Sequence, residues 1–190
     1  MSHALTQANG LTPRARDLRE RIAWICHGVR LAAVAWIVWI IVMVLVTWSN
    51  KAAVLEAHGR LLAMDLSGVS SAAYAVACAI VAVDLAVVAL IVFCIWRLFA
   101  TYLAGRVFTI EAALWLRRTG VVIIAAIIVD VVFRILIASI FAGKLVLFGI
   151  YGPLVFPQDL LHLIFALFVM ALAHIFKAAA EMADDHAQIV

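Results

Sequence analysis

The sequence predicts an all-α protein, a four-transmembrane-helix bundle with a short cytoplasmic interfacial helix. Of its 190 residues, 68% are hydrophobic and only 13% are charged, whereas soluble domains are about half apolar and about a quarter charged. The mean hydropathy is +1.19, and a chain this short cannot bury that much apolar surface in a core of its own. Four apolar stretches each approach the roughly 20 residues that cross a bilayer.

The chain begins with a polar segment, residues 1–11, which we predict to be disordered; residues 12–190 are predicted to form a single membrane domain. Thr12 and Pro13 are typical of a helix start, with threonine as N-cap and proline at the first helical position. The helix is expected to continue into a first span at about 29–48. No short apolar core with a cleavage site precedes this span, so we expect it to remain as an anchor.

The second, third and fourth spans are predicted at about 72–96, 121–141 and 159–176. Between the first two spans, residues 49–70 contain leucines at a helical spacing, which predicts a short amphipathic helix lying on the membrane. Residues 142–158 are apolar but are interrupted by glycine and proline. This pattern favours a loop that dips into the interface over another spanning helix.

The segment 97–120 is predicted to contain the cytoplasmic interfacial helix. The second spanning helix is expected to end at Gly105, since glycine commonly follows a helix C-terminus. Thr109 is then an N-cap for a short helix, with Glu111 placed where a negative charge suits the helix dipole. Gly120 is predicted to end that helix just before the third span.

Basic residues predict the orientation. Five arginines lie at or before the start of the first span and four in the 97–120 segment, against two basic residues in 49–70 and one in 142–158. Because cytoplasmic loops carry an excess of lysine and arginine, both termini are expected in the cytoplasm. The net charge of +3 therefore indicates topology rather than binding to nucleic acid.

Two motifs carry a resemblance to a known family. One runs from Tyr102 to Thr109 and continues from Leu116 to Gly120; the other is the closing segment 183–190. Together with the four-span layout, they resemble the bacterial multi-pass membrane family known as domain of unknown function 2975. The positions of the first motif are Tyr102, Gly105, Phe108, Thr109, Leu116, Arg117, Arg118 and Gly120.

The resemblance implies a multi-pass protein of the bacterial cytoplasmic (inner) membrane. Members of the family are sometimes encoded beside a small helix-turn-helix regulator. The resemblance implies no reaction and no ligand, so function has to be argued from the residues themselves.

Asp84, Asp130 and Arg134 are ionisable residues deep within the predicted spans. Each costs roughly 2.5–3.5 kcal/mol at a helix centre, so such residues are usually paired or functional. Asp130 and Arg134 share a helix face, and Asp84 and Arg134 are estimated to lie at one depth. We predict a cluster in which Arg134 pairs with Asp84 and one aspartate holds a proton. It is either an interhelical ion pair that fixes packing or the proton or ion site of a small transporter or channel subunit.

Two histidines suggest a further alternative. His27 and His174 lie near the inner ends of the first and fourth spans, where two facing imidazoles would bind haem b in an electron carrier. Ordinary interfacial histidines are the other interpretation. Asp159 and His162 share a helix face, and since two ligands from one helix do not make a metal site, we predict a local hydrogen bond.

Recognisable catalytic motifs are lacking: there is no phosphate loop, nucleophile elbow, His-Glu-x-x-His or dinucleotide fingerprint. Cys26, Cys78 and Cys94 form no Cys-x-x-Cys and are expected to pack as small apolar side chains. We therefore predict a non-enzymatic membrane protein without cofactor or metal that acts in regulation or assembly. Its partners would be the bilayer and a protein at its cytoplasmic face, bound by the 97–120 segment and the acidic tail.

Overall fold

The computed structural model describes residues 13–104, 109–149, 152–153 and 155–188, and they form an all-α fold. The five helices are α1 (Pro13–Trp48), α2 (Lys51–Leu62), α3 (Ser71–Leu103), α4 (Ile110–Ala142) and α5 (Pro157–Gln188). A minimal antiparallel pair, β1 (Phe148–Gly149) and β2 (Gly152–Pro153), lies in the connection between α4 and α5.

Four helices are long and apolar enough to cross a membrane, as predicted. The candidate spans are Ala23–Trp48, Ser71–Leu103, Ile110–Ala142 and Pro157–Met182. Large apolar side chains cover their outer surfaces, among them Trp24, which is 80% exposed. The 33 residues of α3 and of α4 make helices about 50 Å long, whereas the hydrocarbon layer is about 30 Å thick. These helices are therefore longer than the hydrocarbon layer is thick.

The spanning helices pack in sequence order, α1 on α3, α3 on α4 and α4 on α5. The two outer positions in this arrangement are therefore occupied by α1 and α5. Successive spans run in opposite directions, so the first residue of α1 and the last of α5 lie at one end of the bundle, called here the terminal end. The connections after α1 and after α4 lie at the opposite end, called here the loop end.

The helices α4 and α5 pack closely because small residues line their contact. The buried residues of α5 recur every seven positions, which is the period of left-handed helix packing. These residues are Asp159, Ala166, Ala173 and Ala180. On α4, Ala113 and Gly120 are buried at the same spacing.

Gly120 lies inside α4, which corrects the prediction that it ends a helix. A single helix runs from Ile110 to Ala142, so the predicted separate interfacial helix is the first part of the third spanning helix. A Cβ on Gly120 would lie 2.8 Å from Cγ of Met170 and 3.5 Å from the carbonyl oxygen of Ala166. The side chain of Met170 on α5 occupies the space that a Cβ at position 120 would need, so glycine here allows the close approach of α5 and does not end the helix.

The predicted helix start at Thr109 is confirmed. Its hydroxyl accepts a hydrogen bond from the backbone N–H of Ala112 at 3.3 Å, and Glu111 lies in the first turn of α4. At the other side of the connection α3 ends at Leu103. The predicted stop at Gly105 lies outside the described residues.

The main hydrophobic cluster lies at the loop end and joins α2, α3, α4 and the connection after α4. Its members are Val54, Leu55, Leu62, Leu66, Ala77, Ile137, Ala138, Phe141 and Val146. The amphipathic helix predicted within 49–70 is therefore present as α2, and it packs across the end of the bundle. The hydroxyl of Tyr74 donates to the carbonyl of Trp48, and their rings stack with centroids 5.9 Å apart.

The end of α2 has an unusual backbone. Ala63 adopts a left-handed conformation with φ of 52°, which is rare for a residue with a side chain. The N–H of Met64 donates to the carbonyl of Gly59 at 3.0 Å, the long bond of a Schellman motif. A Cβ on Gly59 would lie 2.8 Å from the Met64 carbonyl oxygen, so this turn requires glycine at position 59.

Candidate functional site

A bidentate ion pair joins α4 to α5. Arg134 donates from Nη1 to Oδ2 of Asp159 at 3.0 Å and from Nη2 to Oδ1 at 2.9 Å. The planar guanidinium matches the two carboxylate oxygens in this fork geometry. The side chain of Asp159 is only 8% exposed, so both partners are drawn into the contact between the helices.

The position of Asp159 follows from the start of α5. Pro157 occupies the first helical position, and the carboxylate of Asp159 accepts a hydrogen bond from the N–H of Phe156 at 2.7 Å. This is the return bond of a capping box, and the positive end of the helix dipole favours a carboxylate here. The guanidinium of Arg134 lies 4.8 Å from the ring centroid of Phe156. These contacts therefore fix the position of the Arg134 side chain and that of the first turn of α5.

Asp130 is the second carboxylate bound by Arg134. It lies one turn earlier on α4 and accepts from Nη2 of Arg134, which confirms the predicted shared face. Its side chain is 48% exposed in the isolated chain. With the two aspartates ionised, this group of three residues carries a net negative charge, which is costly within a span.

Asp84 is not the partner of Arg134, and the predicted pairing is wrong in this respect. No ion pair joins the two residues in the described part of the chain; Asp159 occupies the place predicted for Asp84. The two residues were expected at one depth because the predicted second and third spans meet the interface at about residues 96 and 121. Trp115 packs against Arg97 of α3, with the guanidinium 5.2 Å from the ring centroid, so that the two helices are in register well before Val121.

Asp84 lies instead at about the depth of Asp130. Counted from the loop end at about 1.5 Å per residue, Asp130 is about 18 Å from the end of α4 and Asp84 about 20 Å from the start of α3. Asp84 is partly buried and close enough to Asp130 and Arg134 to interact electrostatically with both. The four residues form a charged cluster that runs from the start of α5 at Asp159 to the middle of the spans.

The structure does not bring His27 and His174 together. They belong to α1 and α5, the outer helices of the row, and both side chains are exposed. A haem between them would need their rings to face each other across the bundle, so the geometry gives this alternative no support. In the described ranges no group of three or more His, Cys, Asp or Glu side chains is placed to hold a metal ion.

The predicted hydrogen bond between Asp159 and His162 is replaced by other contacts. The hydrogen bonds of the Asp159 carboxylate go to Arg134 and to the N–H of Phe156. His162 is exposed on the surface of α5. The sequence pattern showed two polar residues on one face, but Arg134 from the neighbouring helix provides the stronger, charged partner.

Arginine side chains stacked on tryptophan rings mark the terminal end. The guanidinium of Arg30 lies 3.5 Å from the ring centroid of Trp96 and so joins α1 to α3. Arg97 and Arg118 lie 5.2 and 4.8 Å from the ring centroid of Trp115. The sequence does not indicate this stacking directly. The one local signal was the spacing of Trp115 and Arg118, which places them on one face of a helix.

The residues of the first motif have different surroundings. Thr109 caps α4, Gly120 makes the close contact with α5, and Arg117 and Arg118 are exposed. Tyr102 packs edge-on against Phe99, and Leu116 is partly buried. Gly105 and Phe108, together with the end of the closing motif, lie outside the described residues.

One comparison with known proteins gives a match. The family model described as "Protein of unknown function (DUF2975)" matches residues 77–190, a range that contains the charged cluster and both motifs. No curated protein and no solved structure matches.

Proposed function

Because this chain belongs to the DUF2975 family, described as proteins of unknown function, we propose that it is a multi-pass protein of the bacterial cytoplasmic membrane that acts by contact rather than by catalysis. Its terminal end faces the cytoplasm and binds a protein partner there, in regulation or assembly. This orientation is the one that the distribution of basic residues favours.

The helical extension at the terminal end is the observation that carries this proposal. The helix α5 continues without interruption to Gln188 and is about 48 Å long at 1.5 Å per residue, against a hydrocarbon layer of about 30 Å. Its last part is charged: Lys177 pairs with Glu181 at 3.3 Å, and both side chains are about half exposed. A continuous helix with charged, half-exposed side chains near its end is suited to recognition by a partner protein.

The charged cluster is consistent with a structural role. Two hydrogen bonds of Arg134 go to Asp159 and a third to Asp130, and Asp159 also binds the start of its own helix. The contacts between Arg134 and Asp159 hold α4 against α5, as expected of residues that fix the packing of two helices. Such packing supports the contact proposal because it keeps the two helices in fixed positions.

Photo-crosslinking in cells tests the contact. A photoreactive residue at the exposed position 178, at the terminal end, should give a discrete cross-linked protein, whereas one at the exposed position 60, at the loop end, should not. The variant K177E/E181K keeps an ion pair of the same spacing but reverses the charges that a partner meets, so it should abolish the cross-link at position 178. Identical cross-links at both positions, or an unaffected one in the charge-reversed variant, would refute the proposal.

A second candidate, a proton or ion site, is favoured by the surroundings of Asp84. Within the described residues Asp84 has no hydrogen bond and no ion pair, although it lies about 20 Å from the start of α3 at a rise of about 1.5 Å per residue. An unpaired carboxyl group at that depth is suited to binding and releasing a proton. Asp130, at a similar depth on α4, provides a second carboxylate nearby.

Reconstituted liposomes distinguish this candidate from the first. If Asp84 carries protons, an imposed pH gradient should dissipate faster in liposomes with the protein than in empty ones, and Asp84→Asn should remove the difference. Glu56→Gln is the matched control, since this carboxylate is exposed at the loop end. Equal rates in protein-containing and empty liposomes would exclude proton conduction and leave the contact proposal unaffected.

A further inference from the structure

Three arginines at the terminal end have no acidic partner in the described part of the chain. Arg97, Arg117 and Arg118 are all exposed, and none takes part in an ion pair there. Arg97 from α3 and Arg118 from α4 both lie against the ring of Trp115. Stacking on an aromatic ring orients a guanidinium while leaving the N–H groups at its edge available. A concentrated positive charge is therefore held beside the first part of α4.

An open groove lies beside two of these arginines. It has a volume of about 260 Å³ and is lined by Leu114, Arg117, Arg118, Val121 and Val122. The helix α4 enters the membrane in this direction, so Val121 and Val122 lie one turn deeper than the arginines. The groove thus presents guanidinium groups near the interface and an apolar surface next to the hydrocarbon.

We propose that this groove binds an anionic phospholipid, with the phosphate on Arg117 and Arg118 and the start of an acyl chain along Val121 and Val122. Arginine presents paired N–H donors that match phosphate oxygens. All five lining residues belong to α4, and lysine and arginine residues at the cytoplasmic end of a transmembrane helix attract anionic headgroups. The inference assigns a ligand to two motif residues that the charged cluster does not use, and its test does not depend on either functional proposal.

Native mass spectrometry of the purified, delipidated protein in detergent tests the site. The probes are phosphatidylglycerol and the zwitterionic phosphatidylcholine. We expect retention of phosphatidylglycerol, with affinity falling about fivefold for Arg117→Gln or Arg118→Gln and about thirtyfold for both. Arg60→Gln, which removes an exposed arginine at the loop end, should leave the affinity unchanged. The double variant R117K/R118K keeps the charge, so it should retain more affinity than R117Q/R118Q while losing the paired donors.

Three outcomes would overturn the proposal. The first is equal retention of the two lipids, which would indicate a purely apolar contact. The second is an equal loss of affinity in R60Q and in R117Q/R118Q, which would indicate attraction to overall charge. The third is displacement of phosphatidylglycerol by equimolar inorganic phosphate, which would indicate a phosphate site without a lipid chain. Helical content measured by circular dichroism establishes that each variant is folded.

Discussion

Ala63 occupies a backbone conformation that suits glycine better. Its φ of 52° brings Cβ close to the following carbonyl, at a cost of roughly 1–2 kcal/mol. We therefore expect Ala63→Gly to raise the free energy of unfolding by about 1 kcal/mol, measured by denaturant titration in detergent micelles. Gly59→Ala is the opposite case, because its Cβ would lie 2.8 Å from the backbone oxygen of Met64, and it should destabilise. If both substitutions destabilised the protein, the left-handed conformation of Ala63 in this turn would be contradicted.

The ion pair between Arg134 and Asp159 is tested by a double-mutant cycle. Arg134→Leu alone leaves a buried carboxylate without its partner, and breaking a buried pair in this way costs about 3–5 kcal/mol. The variant R134L/D159N should recover part of this loss, since no charge remains at position 159 and asparagine can keep the bond to Phe156. The matched variant R134L/D84N should recover less, because Asp84 forms no ion pair with Arg134. Equal recovery in both double variants would show that the pairing is wrong.

The residues of the charged cluster were only partly accessible to sequence reasoning. Asp130 and Arg134 were predicted together because helical spacing is local and fixed. The pairing with Asp159 was missed because it depends on the register between α4 and α5, and that register is set by packing around Gly120 and Met170. For Asp159, the spacing from His162 suggested only a local hydrogen bond.

In α4, a glycine that was expected to end a helix instead lies where two helices pack closely. Glycine follows many helix ends, but it also occurs where two helices approach closely. At Gly120 the second reason applies, and the partner, Met170, lies on α5. The four spans themselves were predictable because hydropathy is a property of each segment alone. Their ends and contacts were not, because they depend on residues distant in sequence.

The close packing at Gly120 predicts that a large side chain destabilises the protein at this position but not at an open position of another helix. Gly120→Leu should lower the free energy of unfolding by about 1–3 kcal/mol, as overpacked contacts do, and Met170→Ala in the same chain should restore part of it. Gly28→Leu on α1 is the matched control, since nothing lies within 4 Å of a Cβ there. Thermal unfolding in detergent provides the measurement. A similar loss in both leucine variants would mean that the close contact at Gly120 is absent.

At the scale of the molecule, the described spans form a row, α1–α3–α4–α5, whereas in a closed bundle the first and last spans would meet. Lipid is as apolar as most side chains of the spans, so hydropathy does not indicate which helices are neighbours. This explains why the sequence predicted the number of spans correctly and yet allowed His27 and His174 to face each other. Charged and small residues provided the only clues to contacts between helices.

The orientation of the whole molecule in the membrane can be tested by cysteine labelling. In a background without native cysteines, single cysteines at the exposed positions 60 and 144 of the loop end should react with an impermeant thiol reagent added to intact cells. Cysteines at positions 117 and 177 of the terminal end should react only after permeabilisation. The reason is the excess of basic residues at the terminal end. Labelling of position 177 in intact cells would show that the orientation is the opposite of the one proposed.

The two carboxylates bound by Arg134 become available at different times during synthesis. Asp130 precedes Arg134, whereas Asp159 follows it by 25 residues, which a ribosome adds in about 1–5 s at roughly 5–20 residues per second. Asp130 is therefore the first carboxylate within reach of Arg134, and Asp159 can join it only after the fourth span has emerged. We expect Asp130→Asn to reduce membrane integration of released chains truncated before Asp159 more than that of the full chain. Equal integration at both lengths would contradict this order of events.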